Sequence, residues 1–324
     1  YKRQVQCALA LVFLPSLVSA DQTLKKFRLN YKAVLMADAD TGRVLFAEQE
    51  HRKVYPASLV KLMSVLLTFE AIEAGKTSLD EIVVTSTKAS KIGGTQVFLK
   101  EGEEFTVREL LKAMIVRSAN DATLAMAEHV SGNEDSFVRL MNQRAKELGM
   151  THTEFHSPHG LPPGRGEKHN VSTAYDLFLI ARFILHNHPQ YLEWSAIEID
   201  SFRAGTFQLV NTNRKLMRAY KGMDGMKTGY YRAAGFNLVS SAKREERRLI
   251  SVVMGSPNVK WRSRITSYLL DKGFNEYQTM QLVEAEKIIS QTVLVEDGQH
   301  KEVTIKPQMS ASLLLGPGEE DKVK

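Results

Sequence analysis

The hydrophobic period changes twice along this chain, and that change limits the folds open to it. Residues 31–48, YKAVLMADADTGRVLFAE, read as two strands around the turn DADTG. From YPASLVKLMSVLLTFEAIEAG (55–75) to STAYDLFLIARFILHNHP (172–189), the apolar residues recur at helical spacing. Period two then returns in GMKTGYY, GFNLVSSAK and RLISVVMGS, with KREER as a hairpin turn, and VKWRSRITSYLLDKGF closes the region as a helix. Strands, helices, strands, helix imply an antiparallel sheet built from both ends of one domain, with a helical block inserted between them. The fold class is α/β, of the α+β type.

Local signals place the boundaries. Pro56 suits a helix start and Gly75 a helix end. Residues 101–106 read as a polar connection, and Thr106 with Glu109 forms a capping box for TVRELLKAMIVR. DATLAMAEHV and EDSFVRLMNQRAKELG continue the helices, with Gly149 as a C′ residue, before the Pro- and Gly-rich loop HSPHGLPPGRGEKHN (156–170). Residues 278–324 differ in character: a hairpin around Asp297 and Gly298, then a strand in ASLLL and a polar end. Three segments follow: a leader at 1–20, a main domain at 21–277 and a small β-rich C-terminal domain at 278–324.

Among the 324 residues the net charge is +6, with the basic residues spread along the chain, which favours an anionic partner without marking a nucleic-acid patch. Lys2 and Arg3 precede the apolar run Cys7 to Leu14, and Val18 and Ala20 supply small residues before DQT. This is the layout of a secretory signal cleaved after Ala20. Export to a bacterial periplasm is expected. Cys7 is the only cysteine, so the mature chain would lack disulfides, a thiol nucleophile and thiolate metal sites. The histidines of HTEFHSPH show no metal-ligand spacing, and neither metal nor cofactor is expected.

Three short motifs carry chemistry. Ser58 and Lys61 stand three apart at the start of an apolar helix, which puts them on one face. A serine hydroxyl attacks only when a base takes its proton, and a lysine is a base only when burial or a neighbouring cation keeps it neutral. Ser240 and Lys243 repeat the spacing in a strand, where alternation separates the side chains. Ser118-Ala119-Asn120 sits between two helices, with SGN (131–133) and SPN (256–258) as look-alikes. Capping alone would explain any of the three, since Asn120 or Asp121 starts a helix well. Lys227-Thr228-Gly229 occurs once, in a strand, where Lys227 can hold a carboxylate and Gly229 allows close backbone approach.

In this order the three motifs form the signature of penicillin-binding proteins and class A β-lactamases. The sequence resembles the low-molecular-weight penicillin-binding proteins, the serine D-alanyl-D-alanine carboxypeptidases of peptidase family S11. Besides the motifs it shares GGTQVFLKEGEEFTVRELLKAMIVRSANDATLAMAEHVSG, HGL, STAYDL and GMKTGYYRAAGFNLVSSA. The likeness runs from about residue 24 to 277, and more loosely through the β-rich end.

The resemblance implies the β-lactamase/DD-peptidase-like fold and a penicillin-sensitive enzyme that removes the terminal D-Ala from peptidoglycan stem peptides. It implies Ser58 as nucleophile and Lys61 as base, with Ser118 and Asn120 relaying protons and holding the substrate amide. Lys227, Thr228 and Arg262 would bind the terminal carboxylate, Arg264 being the runner-up for Arg262. The N–H groups of Ser58 and Tyr230 would form the oxyanion hole beside Gly229, and Arg214 would be a second substrate-side arginine. His159 and Asp176 would brace the loop. Attachment to the outer face of the inner membrane, through a C-terminal segment not among these residues, is implied as well. Ala119 replaces the usual Gly, and Tyr230 stands where some relatives have His. The alternatives are a class A-like β-lactamase, using Glu167 and Asn170 in a spacing one residue short of that pattern, and a non-catalytic peptidoglycan-binding module.

Overall fold

The structure, a computed structural model, describes residues 27–287, 289–294, 302–305 and 307–322. The leader and the Asp297-Gly298 turn lie outside them. In chain order, β1 (Ala33–Asp38) and β2 (Val44–Glu48) lead through a 3₁₀ turn (Ala57–Val60) into α1 (Lys61–Glu73). Then come β3 (Ile82–Val84), α2 (Thr87–Lys91), β4 (Glu104–Thr106), α3 (Val107–Lys112), α4 (Asn120–Ser131) and α5 (Glu134–Glu147). Next are α6 (Ala174–Asn187), α7 (Gln190–Ser195), β5 (Ile199–Phe202), β6 (Phe207–Val210) and α8 (Arg214–Ala219). The chain returns to the sheet with β7 (Met223–Tyr231), β8 (Gly235–Arg244) and β9 (Arg247–Ser256), followed by α9 (Val259–Glu276). Four further strands are β10 (Gln278–Val283), β11 (Ile289–Leu294), β12 (Glu302–Ile305) and β13 (Ala311–Leu315).

The five-stranded sheet has the order β2-β1-β9-β8-β7, antiparallel throughout. Its first two strands come from the start of the domain and its last three from the end, joined by β1 against β9 with Leu35 opposite Val252. Strand alternation divides the core between the two faces. Leu35, Val239 and Val252 pack toward α1, α4 and α6, while Met36, Leu238 and Val253 pack toward Ile265 and Leu269 of α9. All six residues of β1 are buried, because helices cover both faces.

The element order follows the expectation, and several boundaries depart from it. The helix expected over 55–75 begins as a 3₁₀ turn, so Ser58 precedes the α-helix that starts at Lys61. The polar connection at 101–106 contains strand β4, paired with β3, and its capping box at Thr106 and Glu109 is complete. The helix expected through residue 117 widens after Lys112 into a π turn, and Ser118 leaves it in the left-handed region, φ 66°. The β5–β6 hairpin was not anticipated, nor was β10, which pairs with β13.

One buried carboxylate fixes the segment in front of α4. Asp121 accepts N–H bonds from Val97, Leu99 and Ala122 at 2.9–3.2 Å and is fully buried. It thereby holds Phe98 at φ 59°, and keeps residues 93–95 alongside Asn120. Asp121→Ala strands these buried donors, which costs roughly 3 kcal/mol and lowers Tm by about 6–12 °C in a circular-dichroism melt. An unchanged Tm would contradict this account.

Candidate active site

The site is where the start of α1 meets the edge strand β7. Gly229 makes that approach possible: a Cβ there would lie 2.6 Å from the Pro56 carbonyl oxygen and 3.1 Å from the Ser58 nitrogen. Backbone therefore meets backbone, and any larger residue would push β7 away. Asn237 on β8 locks the same junction. Its amide donates to the carbonyls of Tyr55 (2.9 Å) and Pro56 (3.1 Å), and its carbonyl accepts Gly255 N–H. Ala57, just before Ser58, is held at φ 52°, a strained conformation for an alanine. The HGL loop presses on it, since a Cβ on Gly160 would sit 2.1 Å from the Ala57 oxygen.

Lys61 is fully buried, and its amine has three acceptors: Ser58 Oγ at 3.2 Å, Asn120 Oδ1 at 2.7 Å and the His159 carbonyl at 2.6 Å. Burial, then the charge of nearby Lys227, drives its pKa well below the ordinary lysine range, against a smaller opposing pull from Asp121. Asn120 does not cap α4. Ala119 is the N-cap residue, while Asn120 spends its oxygen on Lys61 and its amide on the Gly93 carbonyl at 2.8 Å. Gly94 must be small because a Cβ there would come within 2.6 Å of that amide. Ser118 is buried two residues away, in the left-handed turn.

The look-alikes have other duties. Gly132 ends α4 with φ 81°, while Asn133 and Asn258 cap α5 and α9 through their side chains. Ser240 is buried against the Ser251 carbonyl, and Lys243 reaches outward to Glu246.

Lys227 and Arg262 form a buried cationic pair beyond Lys61. Lys227 is 2% exposed, and burial with the Arg262 charge brings its pKa down to about 7. Burial lowers Arg262 to about 10, and among the described residues its Nε has no hydrogen-bond partner. Thr228 is also buried and donates to Thr212 Oγ1 at 2.6 Å. Tyr230 is half exposed and stacks on Phe236 with ring centroids 4.1 Å apart. Arg214, at the start of α8 beside β7, pairs with Glu198 at 3.3 Å. Arg264 lies over the Trp261 ring instead.

His159 touches the lysine with its main chain, while its ring accepts Leu161 N–H at Nδ1 and lies 3.4 Å from Glu134 through Nε2. Asp176 holds the stretch before the loop, accepting His152 N–H and the Thr153 hydroxyl. Glu167 is exposed at the loop tip, where it accepts Gly164 N–H, and Asn170 staples the loop by accepting His156 and Ser157 N–H. Sequence reasoning missed Asn237, Thr212, Glu134 and the carbonyls of Gly93 and His159. Asn237, Gly93 and His159 lie in the shared stretches GFN, GGTQ and HGL, whereas Thr212 and Glu134 lie in none of them.

The family model described as D-alanyl-D-alanine carboxypeptidase, Peptidase S11, matches residues 20–258. The chain is 37% identical over 315 residues to D-alanyl-D-alanine carboxypeptidase DacF of Bacillus subtilis (strain 168), covering 96% of this chain and 79% of that one. Penicillin binding protein 5 from Haemophilus influenzae superposes with a TM-score of 0.78 at 32% identity, over 91% of this chain and 85% of that one. Penicillin-binding protein D2 from Listeria monocytogenes, solved in an ampicillin-bound form, gives 0.69 at 30% identity over 76% and 97%. The chain belongs to the D-alanyl-D-alanine carboxypeptidase family, peptidase S11.

Proposed function

We propose that the chain is a serine D,D-carboxypeptidase that cleaves the terminal D-Ala-D-Ala bond of peptidoglycan stem peptides through an acyl-enzyme on Ser58, and that penicillins acylate the same serine. The observation that carries this reading is the fully buried Lys61 amine at 3.2 Å from Ser58 Oγ, beside a second buried lysine. A buried amine held near another cation releases its proton more readily than an ordinary lysine, which suits it to act as a base.

The substrate carboxylate lies against Lys227 and Arg262, with Thr228 beside it. The scissile carbonyl lies between the N–H groups of Ser58 and Tyr230, which stabilise the oxyanion. Lys61 takes the Ser58 proton as Oγ bonds to the carbonyl carbon. The C–N bond then breaks, and the proton passes to the departing D-Ala amine along Lys61 and Ser118, while Asn120 orients Lys61 and the substrate amide. Water reverses the sequence and frees Ser58. Arg214 is left out of this assignment, because Glu198 engages it. Glu167 has no step either, because it is exposed at the loop tip. The site requires neither cofactor nor metal in this reading. Residues 1–20 act as an export signal, which places the enzyme in the periplasm. Residues 21–277 form the catalytic domain and 278–324 a β-rich C-terminal domain.

Intact-mass analysis after benzylpenicillin treatment should find one adduct, and peptide mapping should place it on Ser58. Lys61→Arg keeps the volume but removes the base, and should slow acylation by roughly 10²–10⁴-fold. An adduct on another residue would defeat the assignment. Steady turnover of penicillin would point to the β-lactamase reading.

The pH profile has two limbs. Lys61 must be neutral, so kcat/KM rises with pH as it loses its proton. Lys227 must be charged, so kcat/KM falls as pH passes upward through about 7. Arg262→Gln removes the cation that lowers Lys227, so the alkaline limb should move up while KM rises about tenfold or more. An alkaline limb unmoved in this variant would show that Lys227 does not set it.

A further inference from the structure

In the reading above, the substrate carboxylate is at Lys227 and the scissile carbonyl at Tyr230. Both stand on β7, so the bound peptide lies antiparallel to that strand, and followed upstream from its terminal carboxylate it passes β7 residues of increasing number. The residues on the acyl side of the scissile bond then continue past Tyr231 to the β7–β8 turn. Exposed Arg232 sits in this turn, and Lys32 donates to the Ala233 carbonyl there at 3.2 Å. Lys32, Arg52 and Lys53 line an open depression of about 340 Å³ with Val54, Tyr55 and Val171. Its Tyr55 ring stacks on His169 at 4.1 Å, and His169 holds the Tyr231 hydroxyl at 2.8 Å. The depression and the end of β7 therefore share one aromatic wall.

Cations outnumber carboxylates at this rim, where Glu50 and Glu154 are the acidic residues nearest in the chain. Among the described residues, Lys32, Arg52, Lys53 and Arg232 form no ion pair, although carboxylates are close by in the chain. Glu48 is taken by Arg28 and Tyr31. Glu154, bonded through its backbone to Val171, turns to His156 at 3.1 Å. Solvated surface lysines contribute little singly, but three cations lining one depression, with Arg232 in the adjoining turn, create a net positive local field.

The geometry points to an anion subsite, lined by Lys32, Arg52 and Lys53 with Arg232 in the adjoining turn, that takes the side-chain carboxylates of stem-peptide residues on the acyl side of the scissile bond. It rests on the Ser58–Lys227 reading of the cleft. An extended peptide spans about 3.3–3.6 Å per residue, so roughly two or three residues carry the chain from Tyr230 to this turn. A peptide is favoured over an anionic polymer because the subsite lies at the end of the strand that the peptide follows.

The test compares two peptides ending in D-Ala-D-Ala, identical except that one carries a free side-chain carboxylate upstream and the other its amide. The full chain should show kcat/KM about 5–10-fold higher for the carboxylate, mainly through KM, with the advantage falling as NaCl is raised. The double variant Arg52→Gln, Lys53→Gln should lose most of that advantage. Its acylation by benzylpenicillin, whose side group is short and uncharged, should keep the wild-type rate. A preference that survives in the double variant overturns the subsite. So does equal use of both peptides by the wild type, or salt sensitivity that is the same for both, which would assign the charges to a polymer. Loss of penicillin acylation in the double variant likewise overturns it. Absence of a Ser58 adduct in the wild type would instead remove the site reading on which the subsite stands.

Discussion

The buried amine of Lys61 is the constraint around which the catalytic region is organised. A lysine without water must be given acceptors or lose its charge, and this one meets both conditions. Its acceptors come from three separate stretches: the Ser58 turn, the start of α4 and the HGL loop. Moving any one of them would leave the amine under-satisfied at the centre of the domain. The helix that carries it is buried along ten of its residues, Lys61 among them.

Backbone approach is the second condition, and glycine supplies it. Gly229 lets β7 lie against the Ser58 turn, Gly160 lets the loop press on Ala57, and Gly94 leaves room for the Asn120 amide. The strained Ala57 is the junction of these contacts. Strain of this kind persists only where the surroundings over-determine it, and here Asn237, the loop and β7 all do so. The cationic pair Lys227 and Arg262 completes the arrangement. Each lowers the pKa of its inner neighbour, so the groups that would bind an anion also tune the base.

Much of this was legible in the sequence because periodicity and spacing are local. The order of strands and helices followed from the two changes of period. The pairing of Ser58 with Lys61, and the separation of Ser240 from Lys243, followed from the different geometries of helix and strand. Boundaries were less legible where tertiary contacts override propensity. The 3₁₀ turn at Ser58 and the π turn before Ser118 set side-chain directions that no local preference specifies. Likewise, a capping role for Asn120 was reasonable from its position, and it fails only because Lys61 offers a buried donor.

Sequence by itself determined the class of sheet, the family and the residue types available for chemistry. It did so because amphipathic period, turn residues and motif order are properties of neighbouring positions. Only the tertiary structure decided which of those residues meet. It turned Arg214 toward Glu198, brought a main-chain carbonyl of the HGL loop to Lys61, and gathered Lys32, Arg52 and Lys53 beside the end of β7. Such meetings depend on contacts between residues far apart in the chain, and a chain read one window at a time holds no record of them.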